Sequence, residues 1–85
     1  MRDLVMYLTQ AVLPECQDIV VEEHWRDGQY IYDVTVPEED VGKLIGRHGR
    51  IIQSIRAVAK AVAMRQGIHV NIEVKSRSDR QEVTG

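Results

Sequence analysis

The residues of this chain that could do chemistry are concentrated in one stretch, Val41-Gly42-Lys43-Leu44-Ile45-Gly46-Arg47-His48-Gly49-Arg50-Ile51-Ile52. Two glycines three positions apart bracket Arg47 and His48, with Lys43 before the loop and Arg50 after it. Glycine lets a backbone approach a ligand with no Cβ in the way. A helix starting directly after Gly49 would turn its unpaired N–H groups and positive end toward the loop. Backbone donors would then meet phosphate oxygens while Lys43, Arg47 and Arg50 supply charge. His48, largely neutral at pH 7, could still donate a hydrogen bond. This is chemistry for holding an anion.

Chemistry that transforms a substrate has no such inventory. There is no GxxxxGK[ST] loop, no pair of carboxylates beside a base, and no nucleophile with a general base, so an enzyme is not expected. His24, His48 and His69 fall on separate elements without a cysteine or carboxylate at ligand spacing, which argues against a metal site. No cofactor is expected. The single cysteine, Cys16, can form no internal disulfide, suits a reducing cytoplasm and is assigned to packing. Tyr30 and Tyr32 read as filling one face of a strand, and Trp25 as a partly exposed cover beside a turn.

Charge is distributed to match the loop. The formal net charge is −2, yet the first forty residues carry ten acidic and only two basic side chains. From Val41 to Gln66 there are six basic residues (Lys43, Arg47, Arg50, Arg56, Lys60 and Arg65) and no acidic one. A polyanion responds to a local positive face rather than to the total. A bare helix-helix turn would need no such basic run.

The elements that must position this loop follow from periodicity. Leu4, Val5, Leu8, Ala11 and Val12 recur at helical spacing until Pro14. Ile19-Val20-Val21 leads to Trp25, then Asp27-Gly28, then the alternating Tyr30, Tyr32, Val34 and Val36, a hairpin signature. Pro37 opens a short helix with Glu38, Glu39 and Asp40 at its positive end. Gly46 suits a left-handed stop. A longer helix follows from about Arg50 to Gln66, with Ile51, Ile52, Ile55, Val58, Ala59 and Val62 on one arc. Ala57, Ala61 and Met64 fall on the side away from Ile52, Ile55, Ala59 and Val62, a possible surface for a second chain. Ile68, Val70, Ile72 and Val74 alternate strictly as a last strand.

The predicted order is therefore α-β-β-α-α-β, an α+β domain over residues 1–75. The helical crossover makes the last two strands parallel neighbours, so the sheet is mixed and three-stranded with helices on one face. Residues 76–85 are polar, aperiodic and expected to be a disordered tail. The 85 residues suffice for one domain. With no apolar run of eighteen residues and no charged-then-apolar leader, neither a membrane span nor secretion is expected, and the cytoplasm is the expected setting.

The segment Leu44-Ile45-Gly46-x-x-Gly49-x-x-Ile52, set between two helices in this order of elements, resembles the signature of KH domains of type II, and the likeness covers about residues 1–75. The stretch Glu39–Gly46 is most similar to small bacterial single-domain KH proteins. The resemblance implies sequence-tolerant binding of about four unpaired nucleotides in a cleft. Gly46, Arg47, His48 and Gly49 would clamp phosphates, Leu44, Ile45 and Ile52 would form the apolar floor, and Lys43, Arg50 and Arg56 would add charge. It further implies an RNA chaperone acting after transcription as a heterodimer with a larger KH protein of the Jag type, while the Ala57, Ala61 and Met64 surface would equally serve a homodimer. The alternative is an adaptor that uses the KH surface for protein contact and influences cell-wall growth.

Overall fold

A computed structural model describes residues 1–77 of the chain. In chain order the elements are α1 (Arg2–Val12), β1 (Val20–Arg26), β2 (Gln29–Val36), α2 (Glu38–Ile45), a single 3-10 turn at Arg47–Gly49, α3 (Arg50–Arg65) and β3 (Val70–Ser76). This is the α-β-β-α-α-β order of a type II KH fold, and each element lies where its periodicity places it.

The sheet has the order β1-β2-β3. Asp27 and Gly28 both take positive φ, 55° and 79°, as a two-residue type I′ turn requires. That turn fixes the antiparallel register, pairing Arg26 with Gln29 and, farther along, Glu22 with Asp33. β2 and β3 are parallel, with Tyr32 beside Ile72 and Asp33 beside Glu73. Because β2 is central, its side chains have neighbours on both flanks, so Ile31 and Asp33 are buried even on the face the helices leave open. Alternation alone had suggested only one buried face.

The helix-covered face holds the core. Val5 of α1, Leu44 of α2 and Ile52, Ile55, Ala59 and Ala63 of α3 meet Val21, Tyr32, Val34, Val36, Val70 and Ile72 of the sheet. Ile51 and Val58, expected on the inner arc of α3, are exposed, and Ala63 takes an inner place. The stripe that meets the sheet runs through 52, 55, 59 and 63, which leaves positions 51 and 58, one heptad apart, on its outer margin. Cys16 is half-buried against the core, as assigned. Gln10 ties off the end of α1 by donating its side-chain amide to the carbonyls of Leu13 and Cys16, at 3.1 and 3.0 Å. Arg2 Nε donates to the Val21 carbonyl at 2.8 Å and fastens the start of α1 to β1.

β3 runs through Ser76, one residue beyond the expected domain boundary. The Arg77 guanidinium donates to the Asp18 carbonyl. The rest of the expected tail lies outside the described residues. Among the described residues no helix is long and apolar enough to cross a membrane.

Candidate nucleic-acid interface

α2 ends because Gly46 leaves helical space, at φ 79° and ψ 171°, while its N–H still bonds the Gly42 carbonyl at 2.9 Å. This is not the left-handed stop expected from the sequence. It is a conformation essentially confined to glycine. A Cβ at Gly46 would lie 2.5 Å from Ile51 Cγ1 and 2.8 Å from Ile51 Cβ, so the loop packs directly on the first turn of α3. His48 (φ 58°, ψ 24°) and Gly49 (φ 73°, ψ 15°) follow as a left-handed pair. A Cβ at Gly49 would meet nothing within 4 Å. One glycine is thus required by packing, and the other presents open backbone.

The turn uses part of its own donor set. Gly49 N–H bonds the Gly46 carbonyl at 3.0 Å, and Arg50 N–H bonds the Arg47 carbonyl. The amides of Arg47 and His48 take no part in these two bonds. No side chain caps the start of α3. Its 16 residues point their positive end at the loop.

The sequence-predicted site residues divide into groups. Arg47, His48 and Arg50 are exposed around the turn. Lys43, in the last turn of α2, is 73% exposed and only 3.9 Å from Asp40, a loose pair that leaves its charge largely available. Ile45 is half-buried, whereas Leu44 and Ile52 are buried in the core. Leu44 and Ile52, expected on the apolar floor, are therefore enclosed by the core and offer a ligand almost no surface. Arg56 is half-buried, and its Nε and Nη2 donate to the Ile72 carbonyl at 3.1 and 2.9 Å. It spans from α3 to β3 and is anchored there. Among the described residues β3 pairs only with β2, and at Ile72 the backbone N–H is likewise taken, by Asn71 Oδ1 at 3.0 Å.

Trp25 is 63% exposed and packs its ring edge on Tyr30, with centroids 4.7 Å apart; Tyr30 stacks in turn near Tyr32 at 6.4 Å. Tyr32 donates its hydroxyl to Glu23 at 3.0 Å. Burial first, and then the adjacent Glu23 carboxylate, push the Tyr32 phenol up to about 12. This aromatic ladder fills a strand face, as read from the alternation.

Sequence spacing gave His24 no carboxylate partner, and here the structure corrects it. His24 Nε2 lies 3.1 Å from Asp33 Oδ2, and Glu22 contributes a third donor atom to the same group. The signal was present in the two-residue turn, which pairs residues equally far from it and so sets Glu22 opposite Asp33.

Comparison with known proteins adds to this geometry. A family model described as the KH domain of KhpA/KhpB matches residues 2–74. The protein named RNA-binding protein KhpA from Clostridium perfringens is 34% identical over 74 residues, covering 87% of this chain and 99% of its own. Its counterpart of the same name in Chlamydia caviae is 31% identical over 74 residues, covering 87% and 95%. That of Thermotoga maritima is 32% identical over 62 residues, covering 73% and 83%. No solved structure matches the chain at a significant level. These relatives are named as RNA-binding proteins and not as enzymes. With the fold, the glycine-bracketed turn between α2 and α3 and the family match all in agreement, the chain belongs to the KhpA/KhpB family of KH-domain proteins.

Proposed function

We propose that the protein binds single-stranded RNA, gripping the backbone at the Gly46–Gly49 turn and laying bases beside the half-buried Ile45. The observation that carries this reading is the turn itself, with open backbone at Gly49 and exposed Arg47, His48 and Arg50 around an uncapped helix start. Such a site reads phosphate spacing rather than base identity, which suits a sequence-tolerant RNA chaperone in the cytoplasm. The names of the relatives support it. The test is Arg47→Asp combined with His48→Asp. Both side chains are exposed, so circular dichroism should be unchanged while binding of a short unpaired RNA is abolished. A doubly acidic variant that binds like the parent removes the clamp.

A second reading, an adaptor that works through dimerisation, is favoured by one feature. Ala57, Val58, Ala61 and Met64 are all exposed on α3, Met64 at 75%. Small residues allow close approach of another backbone, and Met adapts to irregular partners. The family description joins KhpA with KhpB, in keeping with a larger KH protein of the Jag type as partner. Light scattering on the parent and on Met64→Glu separates the readings. A concentration-dependent dimer lost in the variant supports self-association, and a parent that stays monomeric leaves only a different partner.

A further inference from the structure

On the sheet face away from the helices, Glu22, His24 and Asp33 each offer one ligand atom, all within 4.8 Å of one another. The pleat requires this grouping. Glu22 and His24 are two apart on β1 and so share a face, and Asp33 stands directly opposite Glu22 across the ladder. Glu73 of β3 flanks Asp33 on its other side. Three carboxylates therefore lie in a row across three strands, an arrangement in which directly opposed like charges repel.

The partners present offset this only partly. Asp33 Oδ2 takes both His24 Nε2 at 3.1 Å and Lys75 Nζ at 3.2 Å. The Asp33 side chain is 10% exposed. Its Oδ1 has no hydrogen-bond partner among the described residues. A buried carboxylate oxygen without a donor is costly, and Oδ1, unlike Oδ2, has no positive partner among the described residues.

We propose that Glu22, His24 and Asp33 form a binding site for a first-row divalent transition ion of the zinc class. The neutral imidazole nitrogen favours such an ion over Mg²⁺ or Ca²⁺, which take oxygen ligands. Donors about 2.1 Å from a tetrahedral ion stand about 3.4 Å apart. His24 and Asp33 are already near that separation, and Glu22, being exposed, can close the remainder. Three protein ligands on an open face leave a fourth position for water or a group from outside. Lys75 occupies part of the same space and competes with the ion.

Calorimetric titration of the full chain with Zn²⁺, in a buffer that does not chelate it, tests the site. The parent should bind one ion. His24→Ala and Glu22→Gln should each weaken binding by more than ~100-fold, beyond the ~10–100-fold that losing a supporting residue costs. His69→Ala and His48→Ala should leave it unchanged, and Lys75→Gln should tighten it. Circular dichroism on every variant confirms that the fold is retained. A parent that binds no Zn²⁺ overturns the proposal, as does a His24→Ala or Glu22→Gln variant that binds as tightly as the parent. So does a Lys75→Gln variant that binds more weakly.

Discussion

Replacing Gly46 and Gly49 separately by alanine should have unequal consequences, although both belong to the same turn. At Gly46 two costs combine. Holding an L-residue at φ 79°, ψ 171° costs ~1–3 kcal/mol. The new methyl also falls 2.5–2.8 Å from Cβ, Cγ1 and Cδ1 of Ile51. Ile51 Cβ is fixed to the first turn of α3, so relief needs backbone movement, and overpacking of this kind costs ~1–3 kcal/mol. The sum, ~2–6 kcal/mol, is comparable with the ~3–5 kcal/mol that holds a domain of this size together. Gly49→Ala meets no neighbour and incurs only the left-handed strain, ~1–2 kcal/mol. Urea denaturation followed by circular dichroism reads the difference. With a slope of ~1 kcal/mol per molar urea, Gly49→Ala should lower the midpoint by ~1–2 M. Gly46→Ala should leave little or no folded baseline, and adding Ile51→Ala should restore part of it. Equal midpoint shifts for the two single variants would refute the assignment of one glycine to packing and the other to access.

Three further outcomes follow from the same geometry. Lys43, Arg47 and Arg50 are the exposed cations at the turn, so log K against log salt should slope at about −2 for single-stranded RNA, with Arg47→Ala lowering the slope by ~0.7. Arg56→Met should cost ~1–3 kcal/mol in urea denaturation, because it removes two charge-assisted bonds to the Ile72 carbonyl, while leaving the salt slope at the parent's value. Ultraviolet titration should show one tyrosine ionising near 12, absent in Tyr32→Phe. Since the folded phenol holds its proton above the unfolded value of 10.0, the unfolded chain is the first to ionise, so this contribution to stability is complete below pH 10 and declines as pH rises to about 12.

What the sequence made legible is what periodicity and turn chemistry encode. Val70, Ile72 and Val74 alternate because one side of β3 meets the core, and Asp27-Gly28 fixes a hairpin because few residues accept two positive φ values in succession. The basic run and paired glycines marked the candidate loop because phosphate binding would need both charge and open backbone. Legibility ended where neighbours far apart in the chain decide the outcome. Ile51 and Ile52 are equally apolar, and only the direction from which the sheet approaches α3 buries one and exposes the other. Asp33 reads as an outward polar residue until β1 and β3 both close on it. Arg56 reads as a free cation until Ile72, sixteen residues later, supplies a carbonyl. Leu44 carries the family signature yet is wholly buried, because a motif records where a residue stands and not which way its surface faces.

The anchoring of Arg56 on β3 has a consequence for how copies of this chain meet. Among the described residues β3 is an outermost strand, and an outermost strand is a template on which another extended chain can assemble. Two such chains adding edge to edge would seed a continuing ribbon, the start of aggregation at high expression. At Ile72, midway along β3, the outward N–H is held by Asn71 and the outward carbonyl by Arg56. An incoming strand would have to dislodge a half-buried guanidinium to register there. The side chain that ties α3 to β3 therefore also acts as a stopper, keeping the three-stranded sheet from growing a fourth strand out of its neighbour.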